Sequence, residues 1–316
     1  MKKAQQKAEF NTFAKMLEAL PHEASCRNYL EQLIWKGEPV CPHCGTKNKE
    51  HYKLKVKGEF KGLYKCKDCR QRFTVTVGTI FEGSHAPLRK WFIAMYIFNS
   101  HKKGISSIQL GKDLGLQQKT AWFMLHRIRH AFNNKPKIKF SGAIQADETF
   151  IGGKNKNRHA DKKVEDSQGR STKDKTPVFG MLVNGNQVHT QVIPDTKAST
   201  IKPIIADMVN KGSIIITDEW KGYSNLSDYN HVILSHNDAE YVRGGFHNNG
   251  IENFWSMLKR GIYGIYHQTS PKHLHRYCTE FSHRYNTRRI NDSDRFEMSL
   301  NNIHGRLTYR KLIAND

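Results

Sequence analysis

The sequence predicts a mixed α/β domain that follows a small cysteine-anchored ribbon and a helical region. Three observations lead to this prediction. Two Cys-x-x-Cys pairs stand within residues 41–69. Apolar residues recur at helical spacing over residues 87–132. From residue 143 onward, β-type runs alternate with helical segments, an order typical of α/β folds.

The domain boundaries follow from changes in composition and from a proline-bearing linker after residue 132. A chain of 316 residues is long enough for two or three domains. The predicted segments are an N-terminal helical segment (1–35), a ribbon (36–80), a helical region (81–135) and an α/β domain (143–300).

The net charge predicts a polyanionic partner. Lysine and arginine number 51 against 29 acidic residues, which gives a formal charge of +22. Each phosphate contact that such a chain makes releases condensed counterions, so we expect the partner to be a nucleic acid. No apolar run approaches the roughly 18 residues of a membrane helix, and "MKKAQQKAEF" lacks the apolar core of a secretory signal. We expect a cytoplasmic, nucleoid-associated protein without a membrane segment.

The spacing of four cysteines predicts a zinc site. Cys41 and Cys44 form one pair, "CPHC", and Cys66 and Cys69 form the second, "CKDC". Structural zinc binds four thiolates tetrahedrally, and two such pairs supply them from two tight turns. A redox function of either pair is the alternative, and the presence of two pairs argues against it. We expect a zinc ribbon: turn, hairpin, turn, strand.

Other residues near the ribbon are assigned more ordinary functions. His43 and His51 are close in sequence, but four cysteines already complete a tetrahedral shell. Cys26 and Cys278 are predicted to be buried thiols. Basic residues in or beside the ribbon favour DNA contact, with a solvated basic face as the alternative. These residues are Lys53, Lys55, Lys57, Lys61, Lys65, Lys67, Arg70 and Arg72.

The helical region 81–135 contains a helix, a tight turn and a second helix. Ser106 or Ser107 can cap the first helix, and Gly115 permits a sharp turn into a helix over residues 117–132. This pattern predicts a helix-turn-helix, with a plain helical hairpin as the alternative.

The second helix of this pattern supplies candidate DNA contacts. In a helix-turn-helix, the N-terminus of the second helix meets base edges in the major groove. Gln117, Gln118 and Lys119 fall at that position. Arg127 lies further along the helix and suits a phosphate.

The α/β domain begins with a strand, "AIQADETFIGG", that ends in acidic residues. A hairpin with an Asn-Gly turn, a helix, the buried strand "SIIITDEW", a short strand "HVILSH" and further helices follow. Residues 154–177 are polar and charged, which predicts a mobile loop.

Three acidic residues of this domain predict a metal site. Asp147 and Asp218 each follow a β-type run, so both should project into one cleft, and a helix should bring Glu252 beside them. Three carboxylates repel one another unless cations neutralise them. Two magnesium ions about 4 Å apart would do so. A single acid after a strand is ordinarily a turn residue or a helix cap.

These segments resemble the DDE-type transposases of bacterial insertion sequences, in the subgroup with a zinc ribbon ahead of the catalytic domain (ISXO-like transposases). The resemblance covers about residues 20–290. It implies a ribonuclease-H-like fold with a mixed sheet and flanking helices, a catalytic magnesium or manganese ion, and DNA strand transfer. The matching blocks are "CPHCG", "FTVTVGTIFEGSHAPLRKWF", "ADETFIGGK", "TDEWKGY", "EYVRGGFHNNGIENFWSMLKRGIYGIYH" and "KHLHRYCTEFSHRYNTR".

The resemblance also implies individual roles. Asp147 and Asp218 match the two aspartates of the motif, and Lys259 matches the basic residue that holds a phosphate. Lys259 follows Glu252 by two helical turns and shares its face. Glu252 is preferred as the third acid, because a carboxylate binds magnesium better than an amide does. The alternatives at this position are Asn249, Asn253 and His247.

Residues beside the predicted cleft complete the set of candidates. Glu148 and Glu219 adjoin the two aspartates, and strand alternation predicts that both turn away. Arg243 and Arg260 are predicted DNA contacts, together with the loop after the first strand. Four aromatic residues could stack on bases or belong to the core, and the core is the prediction for Trp255. They are Trp220, Tyr223, Trp255 and Tyr263.

The expected function is therefore DNA transposition. The ribbon and the helical region would bind the terminal inverted repeats of double-stranded DNA, and the catalytic domain would cleave and join strands. A homodimer or larger assembly is expected by analogy, because two element ends must be brought together. One alternative is a DNA-binding regulator with an inactive catalytic domain, and a structure-specific nuclease is another.

Overall fold

A computed structural model describes residues 10–132, 139–153, 159–165, 167, 171–235, 242 and 244–314. They divide into two compact units, Met1–Asn134 with Arg289–Asp316 and Lys135–Arg288. The helices are α1 (Phe13–Ala19), α2 (Glu23–Trp35), α3 (Leu88–Ser100), α4 (Ser107–Leu114), α5 (Gln118–Ala131), α6 (Ala198–Met208), α7 (Asn249–Gly261), α8 (Pro271–Asn286), α9 (Asp292–Asn301) and α10 (Tyr309–Ile313). The strands are β1 (Tyr52–Val56), β2 (Glu59–Lys65), β3 (Arg72–Phe73), β4 (Ala143–Ile151), β5 (Thr176–Val183), β6 (Gln187–Val192), β7 (Ile214–Asp218) and β8 (Asn230–Leu234). Within these described ranges, no helix combines the length and the apolar character that crossing a membrane requires.

The first unit contains a three-stranded antiparallel sheet in the order β1-β2-β3. Lys57 and Gly58 join β1 to β2 with φ values of 52° and 83°, as a two-residue hairpin turn requires. Only Arg72 and Phe73 of β3 pair with β2, so this strand is shorter than the alternation predicts. The hairpin lies between the two cysteine pairs, in the order predicted for a ribbon.

An aromatic cluster joins this sheet to α2. The Trp35 ring meets the rings of Tyr64 and Phe73 edge-on, with centroids 5.4 and 5.8 Å away. Tyr64 and Phe73 stack on each other at 5.5 Å. All three side chains are buried. The ribbon and the helices before it therefore share one core, although the sequence divides them at residue 35.

The end of the chain belongs to the first unit. Phe296 on α9 packs against the rings of Phe10 and Phe92, with centroid distances of 5.7 and 5.8 Å. Residues 289–300 of the predicted domain 143–300 thus lie in the first unit. Periodicity identifies the apolar face of a helix, but it does not say which core covers that face.

The second unit is built on a five-stranded mixed sheet in the order β6-β5-β4-β7-β8. β5 runs antiparallel to both β4 and β6, whereas β7 pairs parallel with β4 and β8 pairs parallel with β7. Side chains of β5 alternate between two cores, Phe179 and Met181 on the side of α6, Val178 and Leu182 on the side of α7. A strand that is buried on both faces reads as one apolar run, which explains "VFGMLV".

A buried ion pair within α8 yields a stability prediction. The Arg284 guanidinium donates to Oε1 of Glu280 at 2.7 and 3.1 Å, and the Tyr266 hydroxyl donates to the same oxygen at 2.6 Å. We expect Arg284→Met to lower the free energy of unfolding of the second unit by about 3–5 kcal/mol, because a buried carboxylate loses this cation. Urea denaturation measures the change. The double variant Glu280→Gln/Arg284→Met should recover most of the loss, and a loss below about 1 kcal/mol in the single variant would contradict the prediction.

Candidate functional site

The four cysteine sulfurs of the ribbon gather at one point. The Sγ atoms of Cys41 and Cys69 are 3.6 Å apart, as are those of Cys44 and Cys66. All four Sγ atoms lie within 4.8 Å of one another. Zinc with bonds of about 2.3 Å places tetrahedral sulfurs roughly 3.8 Å apart, so this group fits a structural zinc ion.

Two matching turns bring these cysteines together. In each turn, the residue after the second cysteine has a left-handed backbone, Gly45 with a φ of 78° and Arg70 with a φ of 63°. The N–H of the first cysteine, Cys41 or Cys66, donates to a carbonyl five residues further on, at 2.9 Å in both turns. Glycine adopts this backbone at no steric cost, so the first turn is visible in the sequence and the second is not.

His51 connects the two turns through hydrogen bonds. Its Nδ1 accepts from the N–H of Lys67 and its Nε2 lies against the carbonyl of Thr46, both at 3.2 Å. The neutral ring therefore carries its proton on Nε2. The Nε2 atom of His43 lies 3.2 Å from the carbonyl of Arg72. The sequence gives no signal for the bridging position of His51.

A group of carboxylates lies where β4 and β7 run side by side. Asp147 stands in β4 opposite Gly180, and Asp218 is the last residue of β7. Carboxylate oxygens of Asp147, Glu148 and Asp218 lie within 4.8 Å of one another. β4 continues to Ile151, so Asp147 is not at the end of its strand as the sequence predicts. The parallel pairing of β4 with β7 is what brings the two aspartates together.

The carboxylate group is partly buried: Glu148 is buried, and Asp147 and Asp218 are half-buried. Burial, followed by the charges of Glu148 and Asp218, raises the pKa of Asp147 to about 7. The Trp255 indole N–H donates to Asp147 at 2.9 Å, and the Tyr223 hydroxyl donates to Glu148 at 2.7 Å. Carboxylates this close repel each other unless a cation neutralises them. The oxygen donors therefore fit a divalent metal ion.

Glu148 belongs to this group, although strand alternation predicts that it turns away. Asp147 faces α7, whereas Glu148 faces Tyr223 in the core beside α6. The longer Glu148 side chain still carries its carboxylate to Asp218. Alternation determines the face of a residue but not the reach of its side chain. Glu219 lies outside the group, and its carboxylate accepts from Ser235 at 3.1 Å.

Helix α7 runs along β4 and carries further site residues. Trp255 contacts Asp147, and the Tyr263 hydroxyl donates to the carbonyl of Gly152 at 3.0 Å. Lys259 lies between these two contacts and is half-buried. Burial lowers the pKa of Lys259, and the nearby charge of Asp147 opposes this shift. Lys259 is therefore close enough to Asp147 for the two side chains to interact electrostatically.

Glu252 does not join the carboxylate group among the residues that the structure describes. It is exposed in the first turn of α7. Asn249 and Asn253 are also exposed on this helix, and His247 is partly buried just before it. Contact with the carboxylate group therefore does not distinguish among the four candidates for the third position of the predicted site.

The predicted base contacts lie at an exposed helix start. Gln117, Gln118 and Lys119 are exposed around the first turn of α5. The amide of Gln118 donates to the hydroxyl of Ser107 at 2.8 Å and so ties α5 to α4. Arg260 is exposed on α7, with its Nε donating to a carbonyl one turn earlier. Arg243 and part of the loop predicted over 154–177 lie outside the described residues.

The burial of Arg127 contradicts the predicted contact with a phosphate, because only 3% of this residue is exposed. Its guanidinium donates to the carbonyl of Glu82 and lies 5.1 Å from the centroid of the Trp91 ring. Burial lowers its pKa to about 10. The second half of α5 is enclosed by the first unit, which the sequence of a single helix cannot reveal.

The four candidate aromatic residues divide into two classes. Trp255 is 4% exposed, which confirms that it belongs to the core, and Tyr223 is 1% exposed. Trp220 and Tyr263 are 39% and 44% exposed. Only these two could offer a ring face to a base in this conformation.

The close approach of Trp255 to Gly180 yields a second stability prediction. A methyl group at Gly180 would lie 2.5 Å from the indole ring. We expect Gly180→Ala to push the indole away from Asp147 and to cost about 1–3 kcal/mol of stability, measured by urea denaturation. Gly153→Ala is the control, because its methyl group would meet open space. A change below about 0.5 kcal/mol in Gly180→Ala would refute this packing argument.

Both candidate sites lie in segments that match models of known protein families. Residues 139–286 match the family model of the ISXO2-like transposase domain, and residues 21–72 match that of the transposase zinc-ribbon domain. The four cysteines lie in the second range and the three clustered carboxylates lie in the first. Residues 73–138 and 287–316 lie outside both matched ranges.

Two curated proteins and one solved structure are similar to this chain. An "uncharacterized protein in transposable element ISH50" of Halobacterium salinarum is 30% identical over 254 residues, 76% of this chain and 83% of that protein. An "uncharacterized transposase-like protein" of Haemophilus influenzae is 29% identical over 106 residues, 33% of this chain and 85% of that protein. A chain in the crystal structure of a pre-cleavage Mos1 transpososome is 9% identical, with a TM-score of 0.23 and coverage of 64% and 75%. A likeness at this score supports no conclusion. The matched domains and the ISH50 relative show that this chain belongs to the ISXO2-like transposase family with a zinc ribbon.

Proposed function

We propose that this protein binds the terminal inverted repeats of its insertion sequence, cleaves the DNA there and joins the freed ends to a target. The observation that carries the proposal is the close group of Asp147, Glu148 and Asp218, partly buried at the junction of β4 and β7. It lies within the matched transposase domain of a chain whose formal charge is +22. A metal-binding carboxylate site in a strongly basic protein suits chemistry on a polyanion.

The sheet supports a ribonuclease-H-like catalytic fold. Counted within the second unit, the strands lie in the order third, second, first, fourth, fifth. The first three are antiparallel, and the last two run parallel to the first. Asp147 lies on the central strand and Asp218 ends its parallel neighbour. A mixed sheet with this order, covered by helices on both faces, agrees with such a fold.

Asp147, Glu148 and Asp218 would hold the catalytic metal, magnesium or manganese, through carboxylate oxygens. Two such ions, when bound, would polarise the scissile phosphate and stabilise the attacking and leaving oxygens of an in-line displacement. The indole N–H of Trp255 fixes one oxygen of Asp147, and the Tyr223 hydroxyl fixes one oxygen of Glu148. These bonds orient the carboxylates before any ligand arrives.

The flanks of α7 support Glu252 as a further ligand. Gly261 packs against the Phe281 ring of α8, and Ser282 of α8 is hydrogen-bonded to Thr190 of β6. That flank of the helix therefore faces the β6 side of the sheet and not β7. At 3.6 residues per turn, Glu252 and Lys259 lie on the opposite flank, the side of Asp147. We propose that Glu252 completes the metal site and that Lys259 binds a phosphate beside it.

The reaction needs no covalent enzyme–DNA intermediate. Water attacks a phosphodiester at the element end, its oxygen bonds to phosphorus, and the bond to the element's 3′-oxygen breaks. The freed 3′-hydroxyl then attacks a phosphodiester of the target and displaces a target 3′-hydroxyl. One carboxylate site can serve both steps because both are in-line displacements at phosphorus.

DNA recognition is assigned to the first unit. The short turn between α4 and α5, with Gly115 at a φ of 57°, supports a helix-turn-helix. Gln117, Gln118 and Lys119 would then contact base edges, and the basic ribbon would contact phosphates. In the second unit, Arg260 would add a contact near the cut. Two element ends must be held together, so we propose a homodimer or larger assembly on DNA.

A strand-transfer assay tests this function. Purified protein is mixed with a labelled duplex that carries the terminal repeat of its own element and with a supercoiled target, in magnesium or in EDTA. Joined product that requires metal and is lost in Asp218→Asn supports the proposal. Cleavage without joining would favour a structure-specific nuclease. Binding without cleavage, in protein with full zinc content, would favour a DNA-binding regulator.

The same assay tests Glu252 as the further ligand of the metal site. We expect Glu252→Gln to lose joining and cleavage by roughly 10²-fold or more, because a carboxylate binds the metal better than an amide does. Asn249→Ala and Asn253→Ala are the matched variants on the same helix, and both should retain activity. Full activity in Glu252→Gln together with loss in Asn249→Ala would transfer the role to Asn249.

A further inference from the structure

The last described residues, as far as Ala314, pack within the first unit. Residues 287–316 lie outside both matched family segments. The N–H of Gly305 donates to the carbonyl of Gly78 at 2.9 Å. Leu307 and Leu312 are each 1% exposed. The chain is therefore fixed in place as far as α10.

Helix α10 lies beside the start of α5. The Tyr309 ring meets the Phe123 ring edge-on at 5.4 Å, and the Lys119 ammonium lies 5.1 Å from the Tyr309 centroid. Lys119 and Phe123 are one turn apart on α5, so Tyr309 fixes α10 along the first two turns of that helix. These turns also hold the exposed Gln117 and Gln118, which are the proposed base contacts.

The charges on α10 determine whether this helix would attract DNA to α5 or repel it. Arg310 and Lys311 are exposed, and the helix sequence "YRKLI" contains no acidic residue. An acidic helix at this position would compete with DNA for α5. A basic helix instead attracts the phosphates that flank the bases being read. Arg310 and Lys311 directly follow Tyr309, the residue that contacts Lys119 and Phe123 of α5.

We propose that α10 is a second DNA-binding element: Arg310 and Lys311 bind phosphates of the duplex whose bases α5 contacts, and Tyr309 sets the distance between the two helices. This proposal rests on the proposed DNA binding by α5. Phosphates are the same at every base pair, so these contacts add affinity without adding sequence preference.

The test measures the salt dependence of DNA binding by the full-length, zinc-loaded protein. Fluorescence anisotropy is recorded for a labelled duplex with the element's terminal repeat and for a scrambled duplex, from about 0.05 to about 0.3 M salt. The test variant is Arg310→Gln/Lys311→Gln. The control is Lys102→Gln/Lys103→Gln, which removes the same charge from exposed residues of the turn before α4.

Each lost phosphate contact should lower the slope of log K against log salt by about 0.9. The test variant should therefore lose up to about 1.8 in slope and up to about 60-fold in affinity at about 0.1 M salt. The ratio of affinities for the repeat and the scrambled duplex should stay the same. Gln117→Ala should instead reduce that ratio and leave the slope unchanged, which separates phosphate contacts from base contacts.

Three results would overturn the inference or its premise, and they differ from one another. A test variant with the slope of the control variant would show that α10 does not contact phosphates. A test variant that binds DNA more tightly than the wild type would show that α10 covers α5. If the wild type binds neither duplex, the proposed function itself fails. Circular dichroism before each titration confirms that all three variants are folded.

Discussion

Asp147→Asn and Asp218→Asn are each expected to reduce DNA cleavage by roughly 10²–10³-fold or more, because each removes a carboxylate oxygen ligand from the metal-binding group. The amide keeps the shape of the side chain, so the fold should remain. Cleavage of a labelled element end in manganese or magnesium measures the loss. Manganese binding, followed by electron paramagnetic resonance, should weaken in parallel and reports on the site without turnover.

Glu219→Gln is the matched control for these variants. Glu219 follows Asp218 directly, but its carboxylate accepts from Ser235 and lies outside the group. We expect full cleavage and unchanged manganese binding. Strand cleavage that survives in both aspartate variants would falsify the assignment of this site.

Asp147→Asn should also change how the stability of metal-free protein depends on pH. Burial and the neighbouring charges raise the pKa of Asp147 from 3.8 to about 7, so the folded state holds this proton more tightly than the unfolded state. The wild type in EDTA should therefore lose stability between pH of about 4 and about 7. The variant has no ionisable group at position 147. Its melting temperature should therefore exceed that of the wild type most near pH 8, and the difference should vanish near pH 4. An equal advantage at both pH values would contradict the raised pKa.

Cys66→Ser is expected to abolish zinc binding and to unfold the ribbon, because zinc sites of this type contribute directly to folding. Cys66 is fully buried and its Sγ belongs to the four-sulfur group. Tyr64 and Phe73 of the ribbon pack on Trp35, so the damage should spread into the helical part of the first unit. Zinc content and the near-ultraviolet circular dichroism of the aromatic cluster measure the two effects.

Cys278→Ala provides the control for zinc loss. Cys278 is the predicted buried thiol of the second unit, 1% exposed, and burial raises its pKa to about 12. We expect this variant to keep its zinc and to lose only packing energy. Zinc retained in Cys66→Ser would mean that the metal does not depend on the four cysteines.

The sequence by itself determined the parts of this protein that depend on neighbouring residues. The cysteine pairs specify the metal turns, because each pair spans only one turn of chain. Ser106 caps α4 and Gly115 ends it in a left-handed conformation, as their residue types predict. Asn184 and Gly185 form the predicted hairpin turn with positive φ. Local sterics and hydrogen bonds decide these features, so they can be read from a few residues.

Only the tertiary structure decided which distant residues meet. Arg127 is enclosed by its unit, α9 and α10 pack on the first unit, and Glu148 reaches the two aspartates despite facing the other side of β4. None of these placements follows from periodicity, because periodicity gives the face of an element and not its neighbour. The pairing of β4 with β7 and the burial around it depend on the whole chain. The pairing brings the carboxylates together, and the burial raises the pKa of Asp147.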